Sequence, residues 1–356
     1  MIIDIVKVIT PAALAFFIGI ALTPLLTHYL YRYKAWKKNG GKRGLDGEET
    51  PLFNKLHQEK EVGTPRMGGI IIWVSAAVTI VGIWLLAKFF PGEFFGKLDF
   101  LSRNQTWIPL FTLLTGSLIG LVDDLFEVTG RGGYFAGGLS LSKRLVLVSL
   151  LGLFAGFWFY DKLDVSMIGI PFGSPIDLGI LFIPFFIVVM LTLYAGGVID
   201  GIDGLAGGVL AIIFMAYTGI AFYQQQIDLA ALCATLAGAT LAFLWFNIPP
   251  ARFYMSETGT MGLTVTLAVI AFMADSVGDG YGVFVLPIVA FPLMATVTSN
   301  VIQVLSKKIR NKKVFLIAPL HHHFEAIGWP GYKVTMRYWI ISIIFALIGI
   351  IIALAG

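Results

Sequence analysis

Long uninterrupted apolar runs recur along the whole chain and limit its fold more than any other feature. They lie at about 10–31, 68–90, 106–123, 144–160, 177–197, 205–223, 229–246, 260–275, 281–305 and 336–354. A helix needs roughly 20 apolar residues to cross a hydrocarbon layer about 30 Å thick. Transmembrane strands would alternate in shorter segments, whereas these runs are continuously apolar. With 57% hydrophobic and 13% charged residues, the sequence predicts an all-α polytopic membrane protein of about ten transmembrane helices, in one domain over 1–356.

The first run is predicted to be a retained span. Asp4 and Lys7 precede it, and the N-terminal segment has no basic leader with a small-residue cleavage site. The single cysteine, Cys233, lies within an apolar run. An intrachain disulfide and a cysteine-based metal site are therefore excluded.

The positive charges predict how the chain is oriented. Twenty of the 25 Lys and Arg residues follow spans 1, 3, 5, 7 and 9, so this face is predicted to be cytoplasmic, with both termini outside. Topology and anionic lipid headgroups explain these charges, and no nucleic-acid partner is expected. The five histidines and the clustered acids share this face. The chemistry is therefore predicted in cytoplasmic loops at about 32–67, 123–143, 197–205, 247–259 and 306–335.

Two adjacent carboxylates, Asp123 and Asp124, directly follow the apolar residues 113–122. Ionised groups at the mouth of a span are costly and repel each other, so a compensating cation is expected. Mg²⁺ with a phosphate substrate suits such oxygen ligands. The competing interpretation is a solvated end of a span.

A glycine-rich break, YAGGVIDGIDGLAGG at 194–208, separates two apolar runs. Asp200 and Asp203 stand three residues apart in it, and Gly204 follows. Asp-Gly steps are ordinary in tight turns between helices. Exposed amides beside two carboxylates can also hold the polar edges of a nucleotide.

The next loop on the same face, FNIPPARFYMSETGT at 246–260, combines several kinds of binding group. Asn247 and Tyr254 can hydrogen-bond and stack on a base, and Glu257 can bind a metal. The alternative is a polar connector in which Thr258 or Thr260 caps the following helix.

Three consecutive histidines, His321, His322 and His323, lie in APLHHHFEAIGW at 318–329. Three successive side chains cannot share one face of a helix, so one or two are expected to point at a common ligand. They suit phosphate binding, acid–base chemistry or metal binding. The apolar neighbours Pro319 and Phe324 favour a packed loop over an exposed one.

In this order, TPRMGG, the Asp pair, DGIDGLAGG, FNIPPARFYMSETG and APLHHHFE resemble the motifs of the phospho-N-acetylmuramoyl-pentapeptide transferase family. The resemblance covers nearly the whole chain. The acidic motifs are shared with the wider superfamily of polyprenyl-phosphate N-acetylhexosamine-1-phosphate transferases, whereas the histidine run is characteristic of the muramoyl branch. The resemblance implies ten helices around a cytoplasm-facing active-site cleft in the bacterial inner membrane, often in a homodimer.

The resemblance also implies a Mg²⁺-dependent reaction. Phospho-MurNAc-pentapeptide would pass from a UDP-activated muramoyl-pentapeptide to undecaprenyl phosphate, giving lipid I and UMP for peptidoglycan synthesis. The positions that match catalytic residues of the family are Asp123, Asp124, His321, His322 and His323. Asp124 and Glu257 match metal ligands. The positions that match the uridine pocket are Asp200, Asp203, Gly204, Asn247 and Tyr254.

Several positions depart from the family pattern. Glu127 stands where the family usually has lysine, a charge reversal beside the expected metal site. Gly197 belongs to a lead-in that lacks the family's asparagines, and Glu257 replaces the aspartate of MGDTGS. Lys143 or Arg144 is the candidate for the missing cation.

Three other functions stay open on the sequence alone. The chain could transfer another UDP-N-acetylhexosamine to polyprenyl phosphate. It could be an inactive relative that binds lipid or nucleotide. A transporter is disfavoured, because transporters usually place ionisable residues at mid-membrane and break helices in corresponding halves.

Overall fold

The computed structural model describes residues 2–38, 41, 51, 54, 57, 61–90, 92–102, 105–130, 138–277 and 280–356. The helices of these residues are α1 (Ile2–Arg32), α2 (Ile70–Phe89), α3 (Glu93–Leu98), α4 (Trp107–Thr129), α5 (Leu141–Lys162), α6 (Phe182–Gly196), α7 (Leu205–Tyr223), α8 (Ile227–Asn247), α9 (Ser256–Phe272), α10 (Gly282–Val289), α11 (Phe291–Arg310), α12 (Leu320–Ala326) and α13 (Gly331–Ala355). Between α5 and α6, the short strands β1 (Met167–Ile168) and β2 (Ile176–Asp177) pair antiparallel.

The prediction of an all-α membrane protein is confirmed. Within the described ranges, nine helices are long and apolar enough to cross a membrane, and the bent pair α10 and α11 makes a tenth span if it is counted as one. The nine correspond to the predicted spans other than 281–305.

The predicted span 281–305 is two helices that meet at an angle of 73°. The break falls at Ala290, and Pro292 stands in the first turn of α11. Proline has no amide hydrogen for a bond to the preceding turn, so it fits the start of a new helix better than the interior of an old one. The last turn of α11 carries Lys307, Lys308 and Arg310.

Helix α9 lies at the centre of the bundle. Its membrane segment is 94% buried within the protein, whereas that of α1 is 22% buried and presents most of its surface outward. Small residues allow this central packing. A Cβ at Gly116 of α4 would lie 3.1 Å from the Cα of Gly262 on α9, so the two helices touch along their backbones.

Candidate active site

The contact between α4 and α9 brings the acidic motifs together. A Cβ at Gly120 would lie only 2.1 Å from the backbone oxygen of Glu257, so this close approach requires a glycine. Asp123 and Asp124 follow Gly120 by one turn of α4. They therefore lie at the first turn of α9, beside Glu257.

Asp124 binds the N-terminus of α9. Its Oδ2 accepts the Thr258 amide at 2.9 Å and the Thr258 hydroxyl at 2.6 Å, and its Oδ1 accepts the Glu257 amide at 3.3 Å. The carboxylate thereby satisfies amides that a helix leaves unpaired at its start. The alternative that Thr258 or Thr260 caps α9 is wrong, because Thr258 donates to Asp124 and the Thr260 hydroxyl donates to the Ser256 carbonyl.

Arg144 joins the other two carboxylates. Its Nη1 lies 2.7 Å from Glu257 Oε1, and its Nε lies 3.7 Å from Asp123 Oδ1. The amide of Leu139 also donates to Asp123 Oδ1 at 2.7 Å. Of the two cations that the sequence offered, Arg144 faces these acids, whereas Lys143 is exposed.

The charge reversal at Glu127 is compensated from a distant part of the chain. Glu127 Oε1 lies 3.3 Å from Lys37 Nζ, and Oε2 lies 3.0 Å from Arg66 Nε. Burial opposes the charge of Arg66, but attraction from Glu127, and then from Asp124 and other carboxylates, outweighs it and raises the pKa of the guanidinium. Arg66 therefore remains charged beside Glu127, and Lys37 contacts the other oxygen of the same carboxylate.

The TPRMGG segment is fastened to the loop that precedes α9. The Gly68 amide donates to the Tyr254 carbonyl at 2.8 Å, and the Tyr254 amide donates to the Pro65 carbonyl at 2.8 Å. A Cβ at Gly69 would lie 2.3 Å from the Gly259 nitrogen. The glycine pair thus permits this segment to pack closely against the start of α9.

The Asp-Gly loop, residues 197–205, is held against the 247–256 segment. Asp200 Oδ2 accepts the Ser256 amide at 2.8 Å, and Asp203 Oδ2 accepts the Ala251 amide at 3.1 Å. Asn247 accepts the Gly204 amide at 3.0 Å through its side-chain oxygen. These residues therefore build the site, and their contact with a nucleotide stays a prediction.

Tyr254 is the aromatic member of the predicted nucleotide-binding set. It lies on the 247–256 segment and is half-buried. Burial raises the pKa of its phenol to about 12. The phenol therefore remains protonated at neutral pH and can donate a hydrogen bond.

Helix α12 brings two of the three histidines to the Asp-Gly loop. A Cβ at Gly201 would lie 2.6 Å from Nε2 of His321 and 2.6 Å from Nε2 of His322, so both rings lie over this glycine. His323 turns away, and its Nδ1 accepts the Leu316 amide at 3.3 Å. Two of the three side chains thus share one side, as helical spacing predicts.

Glu325 and His57 belong to the same cluster and were missed by the sequence analysis. Glu325 Oε2 lies 2.8 Å from His322 Nδ1 and 2.9 Å from His57 Nε2. One ligand atom from each of the three residues lies within 4.8 Å of the others, so the group could hold a metal ion. The spacing of His322 and Glu325, three apart on a helix, was the available signal, whereas His57 had none.

The carboxylates around α9 are of the type that Mg²⁺ binds. Asp123 and Glu257 suit a divalent cation, because the guanidinium between them shows that this pocket stabilises positive charge. Asp124 is fully buried and its oxygens already accept three hydrogen bonds. Metal binding by Asp124 stays a prediction and would have to compete with these bonds.

Comparisons with known proteins agree with these motifs. The model of the family described as Glycosyl transferase family 4 matches residues 106–275. The chain is 33% identical over 350 residues to a phospho-N-acetylmuramoyl-pentapeptide-transferase of Anoxybacillus flavithermus, covering 96% of each chain. It is 34% identical over 348 residues to the protein of that name from Rickettsia canadensis, covering 92% of this chain and 87% of the relative. The chain therefore belongs to the phospho-N-acetylmuramoyl-pentapeptide-transferase family.

Proposed function

We propose that the chain transfers phospho-MurNAc-pentapeptide from UDP-MurNAc-pentapeptide to undecaprenyl phosphate, releasing UMP and forming lipid I. The observation that carries this proposal is the convergence of the sequence motifs. Hydrogen bonds and close backbone contacts join the acidic pair, the Asp-Gly loop, the start of α9 and helix α12 into one site. The relatives named for this activity match over nearly the whole chain.

Phosphoryl transfer requires positioning and charge neutralisation more than covalent help from the protein. Asp123 and Glu257, with Asp124 as the further predicted ligand, would hold Mg²⁺. Bound Mg²⁺ would neutralise the diphosphate and favour departure of UMP. We assign to Asp123 the further role of accepting the proton of the attacking phosphate.

The remaining residues bind the donor. His321 and His322 lie over Gly201, where they can donate hydrogen bonds to the diphosphate or to the leaving UMP. The phenol of Tyr254 and the loop built by Asp200 and Asp203 would hold the uridine. His323 points away from this loop and is assigned a structural role, because its ring accepts a hydrogen bond from the Leu316 amide.

Product analysis tests the reaction. Purified protein in detergent is given undecaprenyl phosphate and Mg²⁺, with either UDP-MurNAc-pentapeptide or UDP-GlcNAc. The expected result is a lipid-linked product and UMP from the muramoyl donor. A product from UDP-GlcNAc alone would assign the chain to another branch of the superfamily. Intact nucleotide binding without turnover would identify an inactive relative.

A variant of the acidic pair tests the site. Asp123→Asn should abolish turnover while the protein remains folded, with the free energy of unfolding lowered by about 1–3 kcal/mol, because asparagine can still accept the Leu139 amide but loses the charge that faces Arg144. Asp123 suits this test better than Asp124, which also binds the start of α9. Asp161→Asn is the matched control, because Asp161 is an exposed acid near the far end of α5, with 43% of its side chain accessible.

We further propose that the protein is a bacterial inner-membrane enzyme, surrounded by membrane lipids, and that it assembles as a homodimer. Its site would open to the cytoplasm, and both termini would lie outside. The distribution of basic residues supports this orientation. Cys233 is buried, so added cysteines can report sidedness. In inverted vesicles, a membrane-impermeant maleimide should label Lys308→Cys and spare Lys162→Cys. The opposite pattern would reverse the orientation.

A further inference from the structure

Beside the proposed diphosphate site, one carboxylate oxygen forms hydrogen bonds with two histidine rings. Glu325 Oε2 lies 2.9 Å from His57 Nε2 and 2.8 Å from His322 Nδ1. Glu325 has 10% of its side chain exposed, His57 has 11% and His322 has 3%. We call these three residues the Glu325 cluster. Its members come from the first predicted cytoplasmic loop and from α12.

The ionisation of Glu325 decides the direction of both hydrogen bonds. Burial alone would raise the pKa of its carboxyl, but the hydrogen bonds and positive charge of His322 and His57 outweigh burial and lower the pKa to about 2. A carboxylate only accepts hydrogen bonds. His57 Nε2 and His322 Nδ1 must therefore both carry a hydrogen. Whenever the two rings are neutral, they are consequently opposite tautomers.

The other nitrogen of His322 faces the site. Its Nε2 would lie 2.6 Å from a Cβ at Gly201. Gly201 follows Asp200 in the Asp-Gly loop. The ring cannot simply turn over, because its Nδ1 is held by Glu325. The His321 ring also packs against it, with a centroid distance of 4.3 Å.

We propose that Glu325, supported by His57, is a positioning residue that keeps a hydrogen on Nδ1 of His322 and directs Nε2 towards the diphosphate. The neutral ring then offers a lone pair at Nε2, and the charged ring offers a hydrogen-bond donor at the same place. The anionic partner stabilises the charged form. Glu325 thus acts through His322 and does not itself touch the substrate.

This inference rests on the proposed function only for the identity of the ligand at Nε2. The tautomers follow from the cluster itself. They can be measured in the full-length protein without substrate.

Nitrogen NMR of the histidines tests the tautomers. The chain has five histidines, so ¹⁵N-histidine labelling gives a spectrum that single substitutions can assign. At alkaline pH, we expect His322 to carry its hydrogen on Nδ1 and His57 on Nε2. An unconstrained ring favours Nε2, so the His322 signal is diagnostic. A hydrogen on Nε2 of His322, with Nδ1 bare, would overturn the proposal.

Two variants separate Glu325 from His57. Glu325→Gln should release the constraint and give mixed tautomers at His322, because a glutamine side chain can donate as well as accept. His57→Gln should leave His322 protonated at Nδ1, because Glu325 remains. His28→Gln is the matched control, since it removes one ring from α1 outside the cluster. An unchanged His322 signal in Glu325→Gln would also overturn the proposal.

Enzyme kinetics test the consequence for binding and turnover. Losing one hydrogen bond to a charged group should lower kcat/KM of Glu325→Gln by about 10- to 100-fold, with the far-ultraviolet circular dichroism unchanged. A Glu325→Gln enzyme with wild-type kcat/KM would show that His322 needs no positioning. Protein that has the expected tautomers but transfers no phosphosugar would contradict the proposed function and leave the positioning role intact.

Elemental analysis of the purified protein tests whether the Glu325 cluster binds a metal ion instead. Two imidazoles and one carboxylate also suit zinc, and the ligand atoms lie within 4.8 Å. About one equivalent of transition metal, lost in Glu325→Gln, would replace the hydrogen-bonded cluster with a metal site and overturn the proposal. Metal-free protein with the expected tautomers supports it.

Discussion

Replacing Arg144 with glutamine removes the cation that lies between Asp123 and Glu257. Its Nη1 is 2.7 Å from Glu257 Oε1, its Nε is 3.7 Å from Asp123 Oδ1, and 14% of its side chain is exposed. Removing one partner of a buried ion pair costs about 3–5 kcal/mol, because the other charge is left uncompensated. Glu257 is 24% exposed, so water screens part of this cost. We expect the free energy of unfolding to fall by about 2–3 kcal/mol.

The same reasoning predicts that Mg²⁺ stabilises this variant more than the wild type. With Arg144 gone, Asp123 and Glu257 can bind the metal without displacing a guanidinium. A ligand at a hundredfold excess over its Kd contributes about 2.7 kcal/mol to stability, which is close to the expected loss. Thermal unfolding of the protein in detergent, with and without Mg²⁺, measures both effects.

Lys143→Gln is the control for this experiment, because it removes an exposed positive charge from the neighbouring position. It should unfold like the wild type and show the same response to Mg²⁺. Equal unfolding temperatures for both variants, with no additional Mg²⁺ effect in Arg144→Gln, would refute the bridging role. Unchanged turnover in Arg144→Gln would separately show that Arg144 does not supply the cation needed for transfer.

Three further predictions follow from single contacts. Asp124→Asn should lower the free energy of unfolding by about 1–3 kcal/mol even without Mg²⁺, since an amide replaces one of the acceptor oxygens at the start of α9; an unchanged unfolding temperature would contradict the capping role. Gly120→Ala should destabilise the protein by about 1–3 kcal/mol or more, because its Cβ would meet the Glu257 carbonyl; Gly219→Ala, where a Cβ meets nothing within 4 Å, is the thermal-unfolding control. The depressed pKa of Glu325 predicts stabilisation that is complete above pH 4.5 and lost as the pH falls towards 2; Glu325→Gln should flatten that part of the unfolding-temperature profile, and an unaltered profile would contradict it.

The transmembrane architecture could be predicted because each spanning segment must by itself be long and apolar enough to cross the hydrocarbon layer. Nine predicted runs are single helices in the structure. The bend at Ala290 was not predicted, although Pro292 was visible in the sequence. A proline can kink a helix or start a new one, and the packing of neighbouring helices decides between these outcomes.

The positions of the site motifs could be predicted, but the partners of their side chains could not. Asp123, Asp124 and Glu257 do lie together. The pattern of hydrophobic residues does not indicate that Asp124 accepts hydrogen bonds from backbone amides, or that Glu257 forms an ion pair with a guanidinium. Such contacts join helices that are far apart in sequence, so they depend on how α4, α5 and α9 pack.

Glu127 shows why a departure from a family motif cannot be judged at one position. Taken alone, this carboxylate adds negative charge beside Asp124 and should weaken the site. In the structure, Lys37 and Arg66 lie within 3.3 Å and 3.0 Å of its two oxygens, and both cations come from the segment before α2. The fold therefore has to preserve the local balance of charge around position 127. The compensating residues can come from separate loops. A single charge reversal at position 127 would place a third cation beside Lys37 and Arg66, so restoring the family's residue there would remove the balance that this chain has built.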